Sequence, residues 1–261
     1  MQPTEDTPLL ICGHPGHEVR CHGWMSRHRP MVLVLTSGGG ASKTGRTTST
    51  RRVVEEAGAR CGALMGEFSD TEIYDFMRSG EAGALAAWTE QVGRIIAEHR
   101  PGTVVTDMVE GFNPSHDLVA FLTRLAVEHA ARLGWQPART LCQPLESRPD
   151  RAWDGRLRPE VTLSLTDAEL IRKLKAARDY PELAQEVERA LGEHSACAFR
   201  TECLYALPGT DDLISQLPSP KPFYEIFGER QVAAGKYASV IRHADHVEPL
   251  GRAIQARMRL A

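Results

Sequence analysis

The stretch LLICGHPGHEVR, residues 9–20, joins a short apolar run to a histidine-rich turn. Residues 9–12 are apolar, and after a glycine the two histidines His14 and His17 follow, three positions apart. A continuous apolar run of this length is typical of a strand that is buried on both faces of a parallel sheet. Ligands of such sheets bind just beyond the carboxyl ends of the strands, so the two histidines stand where a site is expected.

Beyond this opening, apolar runs alternate with segments whose apolar residues recur at helical spacing. This order predicts an α/β fold that is Rossmann-like, with a mostly parallel sheet flanked by helices and a C-terminal extension. We expect residues 1–145 to form the core with the site, and residues 146–261 to pack on that core and complete the fold and the pocket. The predicted strands are 8–13, 31–36, 103–107 and 161–167, and the predicted helices are 18–28, 46–62, 81–99, 118–134 and 168–180.

The composition is that of an ordinary soluble globular protein. The 261 residues are 42% hydrophobic and 25% charged, with a net charge of −3, so no basic excess favours nucleic acid as a partner. No apolar run is long enough to span a membrane, and the N-terminus does not resemble a signal peptide. Six cysteines without CxxC spacing fit reduced thiols. We therefore expect a cytoplasmic protein that binds neither nucleic acid nor membrane.

A glycine-rich loop follows the second predicted strand and ends in Lys43 and Thr44, which suggests a phosphate-binding loop. That motif requires glycines at two fixed positions before the lysine, and here Ser37 and Ser42 occupy both. We therefore expect a flexible loop over the pocket rather than a nucleotide site.

A third histidine, His116, lies in the loop after the strand predicted at 103–107. Loops that follow parallel strands meet at one edge of the sheet, so His14, His17 and His116 are expected to converge. Three neutral imidazoles and a water molecule form an open zinc site, which makes these residues the predicted metal ligands. The histidines expected to be solvated or helix-capping side chains are His22, His28, His99, His129 and His194.

Four segments in the same order resemble the PIG-L (LmbE-like) family of zinc-dependent N-acetylglucosaminyl deacetylases. The resemblance covers roughly residues 8–135, and residues 222–250 resemble the end of some bacterial members. It implies one zinc ion per chain and a metal-dependent hydrolase of the N-deacetylase type that acts on an N-acyl sugar or a similar small amide. The segments are GHPGHE (13–18), TSGGG (36–40), RRVVEEAGARCG (51–62) and RPGTVVTDMVEGFNPSHDLVA (100–120).

The first motif of the family, H-P-D-D-E, is altered in this chain. The resemblance makes His14 the first zinc ligand, places His17 where an aspartate ligand stands, and keeps the final acid as Glu18. Gly16 occupies the position of the aspartate that is the family's general base. Since a positioned base is worth about 10²–10⁴ in rate, an enzyme with Gly16 must either use another group as base or turn over slowly. An aspartate introduced at position 16 is expected to restore the base.

The later family motif, H-P-D-H, maps onto residues 113–116. His116 keeps the third zinc ligand, while Asn113 replaces a histidine that assists the transition state. The family's sugar-binding helix arginine maps onto Arg52, which makes Arg52 the expected substrate-binding residue. The tail residues Tyr224, Glu225 and Arg230 either close the same pocket or serve as packing and surface groups.

The sequence leaves the general base open. The candidates are carboxylates near the predicted ligands, and two of them have competing roles: Glu18 is expected to cap a turn or orient a ligand, and Asp117 equally to be the acid of a helix start. A second interpretation is a non-catalytic protein of this family that binds metal or sugar but lacks the base. The candidate groups are Glu18, Asp107, Glu110, Asp117 and the amide of Asn113.

Overall fold

The computed structural model describes residues 7–39, 45–150, 157–215 and 221–260 of the chain. Within these ranges, seven strands and ten α-helices are present. The strands are β1 (Leu9–Cys12), β2 (Met31–Thr36), β3 (Arg60–Phe68), β4 (Thr103–Asp107), β5 (Arg139–Gln143), β6 (Val161–Ser164) and β7 (Thr201–Ala206). The helices are α1 (His22–His28), α2 (Thr47–Glu56), α3 (Asp70–Ser79), α4 (Gly83–His99), α5 (Pro114–Arg132), α6 (Asp167–Arg178), α7 (Ala184–Ala198), α8 (Thr210–Ser215), α9 (Phe223–Ala233) and α10 (Glu248–Leu260).

The strands form a single sheet in the order β3-β2-β1-β4-β5-β7-β6. The first five of these strands are parallel, whereas β7 runs antiparallel to β5 and β6 antiparallel to β7. The prediction of a Rossmann-like α/β fold with a mostly parallel sheet is therefore confirmed. The strand order reverses between β1 and β4, and in open parallel sheets this is where a ligand crevice forms.

Helices cover both faces of the sheet, which is why β1 and β2 are buried along their whole length. Successive residues of β1 point to opposite faces. Ile11 packs in a cluster with Ile96 of α4, whereas Leu10 packs in a second cluster with Val53 of α2. The two cores hold the carboxyl ends of β1 and β4 at fixed positions, and those ends carry the candidate site. None of the helices within the described ranges is both long and apolar enough to cross a bilayer.

The last third of the chain extends the sheet through β6 and β7. A buried ion pair fixes this part to the core: Nζ of Lys173 lies 2.8 Å from Oε1 of Glu202, and both side chains are almost fully buried. The Glu202 carboxylate also accepts the backbone N–H groups of Gly23 at 2.8 Å and Trp24 at 2.7 Å. Buried charges are tolerated when they are paired and hydrogen-bonded in this way. The network connects α6, β7 and α1.

Candidate functional site

The structure brings His14, His17 and His116 together. His14 and His17 follow β1, and His116 lies in the first turn of α5, directly after the loop that leaves β4. Their ring centroids are 5.2 Å apart for His14 and His17, 5.0 Å for His14 and His116, and 4.4 Å for His17 and His116. Three imidazoles on a tetrahedral zinc ion, with Zn–N distances of about 2.0–2.1 Å, would have centroids about 5 Å apart.

Local sequence explains this convergence. Gly16 has φ of 104°, a backbone conformation that favours glycine, and this lets the chain turn back between the two histidines. Asn113 caps α5 by accepting the N–H of Ser115 at 2.9 Å, and Pro114 begins the helix. The capped start directs His116 toward the turn that holds His14 and His17.

Asp107, the last residue of β4, is hydrogen-bonded to His17. Its Oδ2 lies 2.7 Å from Nδ1 of His17 and also accepts the N–H of Gly13 at 2.7 Å. Burial raises the pKa of Asp107 to about 7, and burial together with the charge of His14 lowers the pKa of His17 well below its usual value. Burial and the neighbouring His17 also lower the pKa of His116. His17 and His116 are therefore neutral at pH 7, the form in which imidazole binds metals.

Asp70, the first residue of α3, supplies a carboxylate that the sequence analysis missed. Its Oδ1 lies 3.0 Å from Nδ1 of His14, which is also 2.7 Å from Oγ1 of Thr36. Asp70 follows β3, and the helix start is marked in the sequence by Ser69 and Glu72, which form a capping box. That signal predicts a helix start at Asp70, but without a predicted β3 it does not place this acid at the carboxyl end of a strand.

The donor set fits zinc in chemical type and in ring spacing. Nε2 of His14 and Nδ1 of His116 are buried and have no hydrogen-bond partner among the described residues. However, in the described part of the chain no group of three or more histidine, cysteine, aspartate or glutamate side chains is arranged to hold a metal ion. The rings therefore have the separation that a shared ion requires, but the side chains as they stand do not form a complete metal site.

The histidines lie at one end of a cavity of about 360 Å³. This volume is within the range of small-molecule sites, about 300–1,000 Å³. The polar end also contains Asp70 and Asn113, and charged side chains such as Arg46 line the cavity as well. Six of the apolar lining residues are here called the apolar wall: Leu174, Leu183, Val187, Ala190, Leu191 and Phe199.

Gly16 contacts the apolar wall directly. A Cβ atom at Gly16 would lie 2.5 Å from Cδ1 and 3.3 Å from Cδ2 of Leu183. The expectation that an aspartate at position 16 restores a base meets an obstacle, because the Leu183 methyl group would have to shift to make room for the new side chain. The positive φ of Gly16 adds strain for any other residue.

Arg52 does not reach the cavity, so its expected contact with substrate needs correction. Its guanidinium donates to the carbonyl of Asp179, and Arg52 is absent from the cavity lining. Arg46, immediately before α2, lines the cavity instead, because the start of that helix faces the histidines while Arg52 lies further along. His194, which was expected to be a solvated or capping group, also lines the cavity, unlike the other four histidines in that group.

Besides Asp107, the other three candidate carboxylates also accept backbone N–H groups. Glu18 accepts the N–H of Gly16 at 2.8 Å, and Asp117 accepts the N–H of Gly111 at 3.1 Å. Glu110 accepts the N–H groups of residues 145–147 at 2.7–2.9 Å. Burial raises the pKa values of Glu18 and Asp117 to about 7. None of the three lines the cavity, whereas Asn113 does.

The tail residues Tyr224, Glu225 and Arg230 lie outside the cavity lining. The hydroxyl of Tyr224 is 3.3 Å from Nδ1 of His243, and Glu225 forms an ion pair of 3.2 Å with Arg242. The tail approaches the cavity through Phe223, whose ring stacks on that of the cavity residue Phe112. In the glycine-rich loop, residues 40–44, which include Lys43 and Thr44, lie outside the described residues.

Solved structures that share this fold include a conserved protein from Thermus thermophilus, with a TM-score of 0.53 at 15% identity over 76% of this chain and 93% of that chain. A deacetylase of the teicoplanin biosynthesis pathway, solved as a bog complex, also has a TM-score of 0.53 at 15% identity, over 79% and 99% of the two chains. A deacetylase–teicoplanin complex from that pathway has a TM-score of 0.50 at 15% identity, over 77% and 97%. No protein-family model matches the sequence, and no curated protein is significantly similar to it. At these identities the likeness shows a common fold.

Proposed function

We propose that this protein is a zinc-dependent hydrolase of the N-deacetylase type, which acts on an N-acyl sugar or a similar small amide. The observation that carries the proposal is the convergence of His14, His17 and His116 at the point where the strand order of the sheet reverses. The fold shared with a deacetylase of the teicoplanin pathway supports it. Under this proposal the chain is a PIG-L-like protein with an altered HPxxE motif, His14-Pro15-Gly16-His17-Glu18.

His14, His17 and His116 would hold the ion, with Asp107 orienting His17. A zinc ion supplies a Lewis acid that polarises the acyl carbonyl and makes water more acidic. The hydrogen bond between Nδ1 of His17 and Asp107 leaves Nε2 of that ring as the donor atom, the usual arrangement of a carboxylate behind a ligand histidine. The unpartnered Nε2 of His14 is a matching donor.

Asp70 is the proposed general base in place of the absent aspartate at position 16. Its side chain is 13% exposed and lines the cavity, whereas the Asp107 side chain is 0% exposed and is held by hydrogen bonds to His17 and Gly13. Only Asp70 of this pair can therefore contact a water molecule in the cavity. As the water oxygen bonds to the acyl carbon, a carboxylate oxygen of Asp70 accepts its proton. The C–N bond then breaks, and the amine leaves with a proton returned from Asp70.

Asn113 is proposed to hold the acyl oxygen. Its Oδ1 accepts the N–H of Ser115, which turns the amide nitrogen away from the helix end, and the residue lines the cavity. An amide N–H that donates to the developing oxyanion is a known substitute for a histidine in such a position. In this proposal residues 1–145 supply the chemistry, and residues 146–261 complete the pocket through the apolar wall.

The second candidate function is a non-catalytic protein that binds metal or sugar. It is favoured by one observation: Gly16, at the position of the family's base, has no side chain, and its φ of 104° strains any other residue there. This candidate predicts bound metal without turnover.

The two functions are separated by measuring zinc content and acetate release together. The protein is purified, loaded with zinc, and assayed for acetate release from several N-acetyl sugars, with His116→Ala as the variant that lacks one ligand. The hydrolase proposal expects about one zinc ion per chain and release that His116→Ala abolishes. Zinc binding without release from any N-acetyl sugar or simple N-acyl amide would favour the non-catalytic protein. Failure to bind zinc would contradict both the metal site and the mechanism.

A further inference from the structure

The apolar wall is built by one continuous part of the chain. Leu174 lies on α6, Leu183 lies in the turn before α7, and Phe199 directly follows α7. The remaining members, Val187, Ala190 and Leu191, lie on α7 itself, and all three are only partly buried. Apolar side chains that face a cavity are not fully buried. An apolar ligand group that covers them would gain the free energy of burying this surface. The wall is therefore suited to an apolar group of a ligand.

The wall begins at the histidines. Leu183 lies against Gly16, between His14 and His17, close enough that a Cβ atom at Gly16 would overlap it. No side chain of the turn separates the apolar wall from the place where the acyl carbonyl would bind. An apolar substituent attached to that carbonyl would therefore enter the wall directly.

Three charged residues of α7 belong to the cavity lining, and each of them forms an ion pair. Arg189 is 3.3 Å from Glu146 and 3.7 Å from Glu193, and Glu186 is 3.9 Å from Arg46. The side chains of Glu186, Arg189 and Glu193 are about half exposed, at 50%, 48% and 52%.

Arg20 and Lys173 also belong to the cavity lining, but Arg20 donates to the carbonyl of Ser147 and Lys173 is paired with Glu202. Because these charged groups already have partners, the space along the apolar wall offers few free polar groups to the hydroxyl groups of a sugar. It fits an uncharged, unbranched chain better.

We propose that the apolar wall is an acyl-chain site, and that the preferred substrates carry a linear acyl group longer than acetyl on the scissile amide. This inference rests on the proposed hydrolase function for the position of the amide. The acyl chain would run from the histidines past Leu183 and along α7, while the amine part of the substrate would lie toward Arg46 and Asn113. Each methylene that is fully buried would tighten binding about four-fold.

The test is the affinity of a chain-length series: N-acetyl-, N-butanoyl- and N-hexanoyl-glucosamine, measured by calorimetry on metal-free protein so that turnover does not interfere. Affinity is expected to rise about 15-fold for each added pair of fully buried methylenes. The same series is then assayed for hydrolysis with zinc-loaded protein, where kcat/KM is expected to rise with chain length. Equal affinities along the series, or no binding of any member, would overturn the acyl-chain site.

Two variants of the apolar wall and a matched control test whether this wall causes the rise in affinity with chain length. Ala190→Phe fills the space along α7 and is expected to abolish the rise in affinity with chain length. Val187→Asn, which adds a polar group without added bulk, is expected to reduce the rise and serves if the first variant does not fold. Ala184→Phe makes the same change at an exposed position of α7 outside the cavity lining and is expected to keep the rise. A rise that survives both folded wall variants would contradict the inference.

The outcomes separate this inference from the proposed function. A rise in affinity with chain length, without hydrolysis of any member, would support the acyl-chain site and contradict the proposed hydrolase function. Hydrolysis of N-acetylglucosamine, with an affinity that does not depend on chain length, would support the proposed hydrolase function and contradict the acyl-chain site.

Discussion

Oδ2 of Asp107 lies 2.7 Å from Nδ1 of His17, at the end of a strand that is buried on both faces. Replacing Asp107 by asparagine keeps the shape but removes the charge that fixes the orientation of the imidazole. We expect Asp107→Asn to weaken zinc affinity about 10–100-fold, the usual cost of losing such a supporting carboxylate. Competition with a chromogenic chelator measures this, with the surface variant Asp179→Asn as control. Unchanged affinity in a folded Asp107→Asn protein would show that Asp107 has no part in metal binding.

Asp70 and Asp107 each contact one histidine, but we expect their variants to differ. If Asp70 is the base, Asp70→Asn should lower kcat by about 10²–10⁴ and leave zinc content close to one per chain. Asp75→Asn, on the same helix but exposed and paired with Arg78, is the matched control and should keep full activity. A loss of zinc affinity in Asp70→Asn would instead assign Asp70 to orienting His14, and wild-type kcat would exclude it as the base.

Gly16→Asp is expected to destabilise the protein rather than activate it. The positive φ and the overlap with Leu183 each cost about 1–3 kcal/mol, so the free energy of unfolding should fall by about that amount or more. Leu183→Ala opens the space, and the double variant should recover the part of the loss that is due to the overlap. Urea unfolding of the two single variants and the double variant measures this coupling. Additive effects would mean that Leu183 does not restrict position 16.

The two arginines near α2 should behave differently. Arg46 lines the cavity, and Arg52 bonds to the carbonyl of Asp179 outside it. We expect Arg46→Ala to raise the Kd of a bound N-acyl sugar about tenfold, the loss of a hydrogen bond from a charged group, and Arg52→Ala to leave it unchanged. Calorimetry on both variants with the same sugar decides between them. The opposite result would return the substrate contact to Arg52.

Glu169 gives a pH-dependent contribution to stability far from the histidines. Hydrogen bonds from Arg27 and from the capping residue Thr166 lower its pKa to about 2. A carboxyl group whose pKa is lower in the folded state stabilises the fold at pH values above its unfolded pKa, about 4.5. This stabilisation is lost as the pH falls from 4.5 toward 2. Glu169→Gln keeps the capping box but removes the charge, so it should lower the free energy of unfolding by about 0.5–1 kcal/mol at pH 7.

The difference between wild type and Glu169→Gln should shrink steadily as the pH is lowered from about 4.5, which urea unfolding at several pH values measures. Glu72→Gln is the control, because Glu72 occupies the same position of a capping box at Ser69 but has no arginine partner among the described contacts. Its effect should be smaller. A pH-independent difference for Glu169→Gln would remove the ionic contribution of Arg27.

The sequence predicted the strands that are buried on both faces and therefore also the edge where His14, His17 and His116 meet. It missed β3, whose first residues were assigned to the preceding helix, because Gly62 and Gly66 interrupt its apolar pattern and most of its side chains are at least partly exposed. Asp70 follows that strand, so it was missed together with it. The resemblance assigned the substrate-binding role to Arg52. Sequence spacing alone could not correct this assignment, because it does not show which turn of a helix faces a cavity.

The apolar wall was beyond reach of the sequence for a related reason. Its residues lie on and around α7, where Gly192 and Ser195, the latter with φ of 58°, disturb the helical pattern. The wall is recognisable only in the folded chain, where its residues line the same cavity as the histidines and Leu183 contacts Gly16.

The buried pair of Lys173 and Glu202 also determines when the site can form during synthesis. Lys173 donates to the carbonyl of Arg20 across 153 residues, and Glu202 accepts the N–H of Gly23 across 179 residues. Contacts between such distant parts of a chain form late in folding, because the intervening chain must first be ordered. The histidine turn leaves the ribosome early, and we expect it to lack its apolar wall until residue 202 has emerged and these contacts can form. A nascent chain should therefore bind no acyl ligand before that point.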